Sequence, residues 1–311
     1  MTEAWVAKPL QLKFLFGELH LFTVSFPSLN LERHFTALTR EPAPLPFEAF
    51  SRGLDVLQIR SYPTQEPLPR LTLLPQAIRY VPQQYRRYYI ELQGSFAEYL
   101  NKFSSKSRST LLRKVRRFAA ASGGQVCWRE YRRCDEMAEF YCLARQVSQQ
   151  TYQERLLKAG LPEEPRFQEE LRELASRDQV RGYLLFHGAQ PIAYLCCPAQ
   201  GDILLYRYLG YLPQYRRWSP GTVLQYLVLE RLFAEGRFRL FDFTQGEGQH
   251  KEFFATGSQQ CADIYYFRKT LRIMLLLCLH AGSQTLSEMA GKALGFLGLK
   301  QWIKRFIRAR A

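Results

Sequence analysis

The sequence predicts an α/β fold, and three observations predict it. Strand-length apolar runs alternate with helical-period stretches from about residue 125 to 267. Within them, residues 203–251 read as strand, tight loop, helix, strand and polar loop. Apolar residues make up 47% of the 311, enough to bury a sizeable core, and the length suits one large domain or two modest ones.

Residues 1–93 are strand-rich and punctuated by proline. Residues 12–16 and 19–26 pair as a hairpin across Gly17-Glu18, because glycine suits the first position of a type II′ turn. Residues 41–46 carry three prolines and form a loop. Alternation over 55–60 marks a half-buried strand, and 85–92 is a second, with a tyrosine cluster beside Arg86 and Arg87. A short helix covers 95–103. A longer one runs to about Ala121, with Leu111, Leu112, Val115, Phe118 and Ala119 as its buried stripe. Its basic residues lie largely off that stripe and either solvate the surface or touch phosphate.

Residues 125–130 are a strand, 135–157 mainly helix and 165–176 a second amphipathic helix. Strands follow at 180–186, 191–197 and 203–209. Ser219 is a natural N-cap, and Pro220 fits the first helical position because its missing N–H costs nothing there. The helix ends at Gly236, residues 238–243 make a strand, and 244–249 form a polar, glycine-rich loop. The last strand is 262–267.

A helix start beside a strand end leaves N–H groups with partial positive charge, and Arg216 and Arg217 add full charges just upstream. Such a corner holds a phosphate. An ordinary crossover with arginines facing water reads the same way.

Tyr215 with Ser219-Pro220-Gly221, then Phe241-Asp242-Phe243, Gly246, Glu247, Gly248, His250-Lys251 and Phe253 resemble the GNAT acyltransferase superfamily. The branch is the one related to the cellulose-biosynthesis CelD/BcsL proteins, itself similar to the FemAB peptidyltransferases. The resemblance covers about residues 95–270. It implies a mixed central sheet flanked by helices, preceded by a degenerate GNAT-like half over 1–94 and followed by a tail over 271–311. It implies acetyl-CoA as co-substrate, its pyrophosphate at Arg216, Arg217, Ser219, Gly221 and Thr222 and its pantetheine arm between two splayed parallel strands. The usual loop is Gln/Arg-x-x-Gly-x-Gly/Ala, and Pro220 and Thr222 stand here where glycines would be. Lys106, Arg108 and Arg113 are the expected substrate-holding residues on the basic helix.

Acyl transfer from a thioester needs a positioned acceptor, a donor to the developing oxyanion and a proton sink. Asp242, at a strand end, is the expected acceptor-side carboxylate, with ion pairing at that strand end as its structural alternative. Glu247 and His250 are further bases, and Lys251 a neutraliser of phosphate or oxyanion. Tyr206, Tyr208 and Tyr211 lie on the adjoining strand, and Tyr208 is the expected proton donor to the leaving thiolate. No Ser-His-Asp or Cys-His spacing argues for covalent catalysis.

The expected reaction moves an acyl group, acetyl first, from CoA to an amine or hydroxyl acceptor such as a glycan or nucleotide sugar, in polysaccharide or envelope synthesis. A FemAB-like transferase using aminoacyl-tRNA is one alternative. A non-catalytic adaptor docking on a membrane glycan synthase is another. Net charge of +15 favours anionic partners, but without a helix-turn-helix, zinc or RNP motif specific nucleic-acid binding is not expected. Seven scattered cysteines without a Cys-x-x-Cys support no metal site and suggest buried free thiols in a reducing cytoplasm. Residues 293–310 place Phe296, Leu299, Ile303, Phe306 and Ile307 at helical spacing among lysines and arginines. That helix either contacts the inner face of a membrane or a membrane-bound partner, or packs on its own domain.

Overall fold

The computed structural model describes residues 5–16, 19–32, 45–151, 160–246 and 248–296. The chain divides into two compact units, Met1–Arg86 with Gln259–Ala311, and Arg87–Ser258. The divisions between these units fall at Arg86/Arg87 and Ser258/Gln259.

In chain order the first unit begins with β1 (Trp5–Ala7), β2 (Leu10–Phe16), β3 (Leu19–Phe26), β4 (Ser28–Glu32), β5 (Val56–Pro63), β6 (Leu71–Leu73) and the first part of β7 (Ile78–Glu91). The second unit holds the end of β7, then α1 (Phe96–Leu100), α2 (Ser105–Ala121), β8 (Trp128–Tyr131), α3 (Met137–Ser148) and α4 (Pro165–Ser176). It continues with β9 (Val180–His187), β10 (Gln190–Gln200), β11 (Ile203–Leu205), β12 (Tyr208–Tyr211), α5 (Pro220–Glu235), β13 (Leu240–Asp242) and α6 (Gln249–Phe254). From β14 (Gly257–Phe267) the chain returns to the first unit and ends its described part in α7 (Leu271–Phe296).

In the first unit the expected hairpin forms from β2 and β3, with an irregularity between Phe14 and Leu15. β4 pairs β1 antiparallel and β5 parallel, and β5 pairs β14 antiparallel. That last pairing is why the strand expected to close the GNAT stretch clusters with the N-terminal half. α7 lays Ile273 and Leu277 on Phe14, Phe26 and Phe267. Among the described residues no helix is long and apolar enough to cross a membrane. Residues 297–311, most of the basic amphipathic tail, lie outside the described residues.

In the second unit β8, β9 and β10 run antiparallel in sequence order. β11 pairs β13 parallel, and β13 pairs the end of β7 antiparallel. A parallel pair needs a crossover, and α5 supplies it. α5 buries Val223, Leu224, Val228, Leu229 and Leu232, and Gly236 ends it at φ 62°. α1 starts in a capping box between Ser95 and Glu98, and its Phe96 and Tyr99 pack on Tyr226 and Phe233 of α5. Cys196, Cys197 and Cys261 are buried as expected, whereas Cys127, Cys134, Cys142 and Cys278 are exposed, because they sit on outward positions.

The strand expected over 203–209 is broken. Ala199 and Gln200 of β10 face Leu204 and Ile203, while Cys196 faces Tyr208. From Ala199 to Cys196 is three steps, and from Leu204 to Tyr208 is four. One extra residue sits between β11 and β12, which is a β-bulge. A bulge bends the strand and re-aims side chains, and bulges concentrate beside active sites.

Candidate active site

The parallel pairing of β11 and β13 covers only Ile203–Leu240, Leu204–Phe241 and Leu205–Asp242. One more bond follows, from the Tyr206 N–H to the Asp242 carbonyl at 2.8 Å. Past the bulge, β12 pairs with β10, from Cys196–Tyr208 to Ala193–Tyr211, while the Phe243 N–H turns to the Tyr88 carbonyl at 3.0 Å. The two parallel strands therefore part at their carboxyl ends. In open α/β sheets that is where ligands enter.

Beside the parting lies a cavity of about 400 Å³. α2 contributes Lys106, Thr110 and Lys114, α5 contributes Thr222, and α6 contributes His250, Phe253 and Phe254. Lys106, Thr110 and Lys114 are spaced by four, so one face of α2 presents them together. Among the described residues, two lysines and no acidic residue line this cavity, which suits a phosphate-bearing ligand. At the start of α5 Pro220 has no N–H, and the Thr222 and Val223 N–H groups turn back to the Ser219 carbonyl at 3.0 and 3.1 Å.

His250 is exposed to solvent, yet aromatic rings stand close to it. Phe254 lies 4.9 Å and Tyr206 6.4 Å away between ring centroids. Burial by that crowding, followed by the charges of Lys114 and Lys251, holds its pKa down at about 4. Its imidazole is neutral at pH 7 and can accept a proton or hydrogen bond. Tyr206 is buried, and desolvation raises its pKa well above the usual phenol value, so its hydroxyl stays protonated. Lys251 is half-buried and donates to the Gln245 carbonyl at 2.6 Å. Its pKa is lowered, first by desolvation and also by Arg87, with Asp242 acting in the opposite sense.

The site differs from expectation at several named residues. Asp242 is fully buried, held on both carboxylate oxygens by Arg87 Nε at 3.0 and 2.9 Å and again by Arg87 Nη2. The Thr244 N–H adds a third donor group at 2.8 Å. With both oxygens so engaged, the geometry favours strand-end ion pairing over the acceptor-side role. Tyr208 packs edge-on against Phe167 of α4 at 5.3 Å, away from His250. Tyr206, on the other side of the bulge, is the tyrosine whose ring stacks toward His250, 6.4 Å away, and it lines a smaller pocket. Ser219 adopts φ 54° and makes no side-chain cap, so it holds the N-cap position without the expected bond.

Of the basic-helix residues, Lys106 lines the cavity. Arg108 turns to the Asn101 side chain at 2.9 Å, and Arg113 reaches Thr110 within its own helix at 3.5 Å. Lys114 takes their place, and its spacing from Lys106 was the available signal. Arg216 and Arg217 are exposed in the 3-10 turn Pro213–Trp218, with the Arg217 guanidinium 4.1 Å from the Trp218 ring. Neither lines the cavity, whereas Thr222 does. Gly221 lines a smaller pocket beside Tyr206 and Tyr211. Glu247 lies outside the described residues. α6 begins at Gln249, where the expected polar loop over 244–249 ends, and His250, Phe253 and Phe254 recur at helical spacing.

Residues 105–252, from α2 to α6, match the family model described as the acetyltransferase (GNAT) domain. This stretch is similar to a GNAT-type acetyltransferase domain. It contains the parting strands, both cavity lysines and His250. A search of curated proteins finds no match. Among solved structures, the chain is similar to the C-terminal domain of a protein described as a lysylphosphatidylglycerol synthetase from Agrobacterium fabrum. The TM-score is 0.52 at 10% identity, covering 85% of each chain. FemX gives 0.52 at 10%, covering 88% of this chain and 90% of that one. L-PGS from Bacillus licheniformis gives 0.50 at 12%, covering 82% and 84%. At such identities the likeness speaks for the fold: a mixed sheet flanked by helices. The GNAT-type domain makes acyl transfer the general class of its chemistry.

Proposed function

We propose that the GNAT-type domain transfers an acyl group from acyl-CoA directly to an amine or hydroxyl. The observation that carries this reading is the cavity at the parting strands, where Lys106, Lys114 and Thr222 meet a neutral His250. The lysines and Thr222 hold the donor's phosphates, and its thioester arm enters between the strands. The acceptor nitrogen or oxygen attacks the thioester carbonyl; its bond to carbon forms as the carbon–sulfur bond breaks. His250 takes the proton from the acceptor, and the Tyr206 hydroxyl gives one to the leaving thiolate. Bound phosphate raises the proton affinity of His250 by offsetting Lys114 and Lys251, which makes the histidine a better base in the complex than in the free protein. Lys251 holds the loop through Gln245, and Asp242 with Arg87 fixes the strand end.

Acetyl as the acyl group, and a polysaccharide or envelope acceptor, follow the motif resemblance and are part of this proposal. The domain division proposed with it is a catalytic Arg87–Ser258 unit and a supporting unit built from both ends of the chain. Calorimetric titration with acetyl-CoA, free CoA and a charged tRNA tests the reading. Micromolar binding of both CoA species is expected. Binding of the tRNA alone would move the function to aminoacyl transfer, and binding of none would favour an adaptor.

A further inference from the structure

Gln225 is a buried polar side chain that the mechanism does not use. It lies one turn into α5, is 1% exposed, and among the described residues neither its amide oxygen nor its amide nitrogen has a hydrogen-bond partner. Leaving a buried amide unpaired is costly. By contrast, buried Tyr194 beside it donates its hydroxyl to Ser148 at 3.2 Å. Gln225 lines a narrow pocket with Tyr206, Gly210, Tyr211, Gly221 and Leu224. A Cβ at Gly210 would come within 2.5 Å of Thr151 and 2.9 Å of Tyr194, so the wall there is closed. Tyr206 stands between this pocket and His250, and the consecutive residues Gly221 and Thr222 line the narrow pocket and the larger cavity respectively. The narrow pocket is a small side chamber next to the reacting position, apolar except for the Gln225 amide and the tyrosines.

We infer that Gln225 is a specificity-determining residue that reads a hydrogen-bonding substituent on the transferred acyl group. The substrate class is a short hydroxyacyl or aminoacyl donor rather than a plain alkanoyl one. A methyl group in the pocket would leave both amide atoms unpaired, whereas a hydroxyl or amino group pairs with the oxygen, the nitrogen or both. A site built to hydrogen-bond a substrate group rejects the analogue that lacks it far more strongly than an apolar pocket rejects an added hydroxyl. The inference rests on the acyl-CoA reading for the identity of the carrier, but its stability consequence does not.

The test compares the full chain with Gln225→Leu, using propionyl-CoA and hydroxyacetyl-CoA, which differ by methyl against hydroxyl at equal size. Wild type is expected to prefer hydroxyacetyl-CoA at least about tenfold in affinity or turnover, and Gln225→Leu to lose or invert that preference. Without ligand, Gln225→Leu is expected to melt roughly 2–4 °C higher, because an unpaired buried amide has been removed. Equal use of the two donors by wild type overturns the inference. So does a lower melting temperature for Gln225→Leu, which would mean that water or protein already satisfies the amide. If free CoA fails to bind at all, the acyl-CoA reading falls, and the melting comparison alone still decides whether Gln225 is held unpaired for a ligand.

Discussion

Asp242 and His250 are eight positions apart in the sequence and end in opposite chemical situations. Asp242 is fully buried, and Arg87 and the Thr244 N–H occupy its oxygens. His250 faces a cavity between two lysines and is kept neutral by its surroundings. Both are polar groups near the parting of β11 and β13, but only one has binding capacity left over. A second pair teaches the same thing. Arg181 is 1% exposed and reaches Glu235, Asp178 and its own strand's carbonyl, while Gln225, equally buried, has no partner. Asp242 and Arg181 are saturated from within, whereas His250 and Gln225 keep polar capacity beside the cavities.

The largest effect should come from breaking the saturated pair. Arg87→Met leaves the Asp242 carboxylate buried without its counter-charge, and loss of one partner of such a pair costs about 3–5 kcal/mol. Urea denaturation should show a large fall in the midpoint. A midpoint within error of wild type would mean that the corner is not the scaffold described here.

Next in size is the tyrosine contrast. Tyr206→Phe should lower turnover on the order of 100-fold if its hydroxyl serves the leaving group, with thermal stability little changed. Tyr208→Phe should leave turnover near wild type, because Tyr208 packs on Phe167. The opposite ranking would show that Tyr208, not Tyr206, serves the leaving group.

The smallest effect is the pH dependence of His250. Its folded pKa, about 4, lies below the unfolded value of 6.5. Between those values the unfolded chain binds the proton and the folded one does not. The contribution to stability is therefore fully present above pH 6.5 and is lost as pH falls toward about 4. His250→Gln should flatten that part of the stability profile between pH 7 and 4.5, and binding of CoA at pH 5.5 should take up protons, seen as a buffer-dependent heat. An unchanged slope in the variant would remove His250 from the account.

Much of this was legible in the sequence, and the gaps have physical causes. The helices Ser105–Ala121, Pro165–Ser176 and Pro220–Glu235 follow from periodicity and from the Pro220 and Gly236 signals. The bulge after Leu205 was invisible, because an apolar run such as 203–209 reads the same with or without an extra residue, and register is set by the partner strand. Local pattern therefore does not separate Tyr208, which packs on Phe167, from Tyr206, whose ring lies 6.4 Å from His250. Asp242 looked reactive because nothing in the sequence links it to Arg87, 155 positions away. Lys114 was hidden among five neighbouring basic residues, although its spacing from Lys106 held the answer. The pairing of β14 with β5, which divides the chain into its two units, is likewise a long-range choice that local pattern does not encode.

The central claim is that the lysine-lined cavity, and not the Asp242 corner, binds the donor. The most direct test measures CoA affinity by calorimetry on Lys114→Ala and on Asp242→Asn, the latter at a temperature where circular dichroism shows it folded. Lys114→Ala should keep its melting temperature and lose roughly tenfold in affinity, more at low salt than at high, as expected for a lost charge-assisted phosphate contact. Folded Asp242→Asn should bind CoA as wild type does. Undiminished binding by Lys114→Ala together with loss of binding by folded Asp242→Asn would contradict the account.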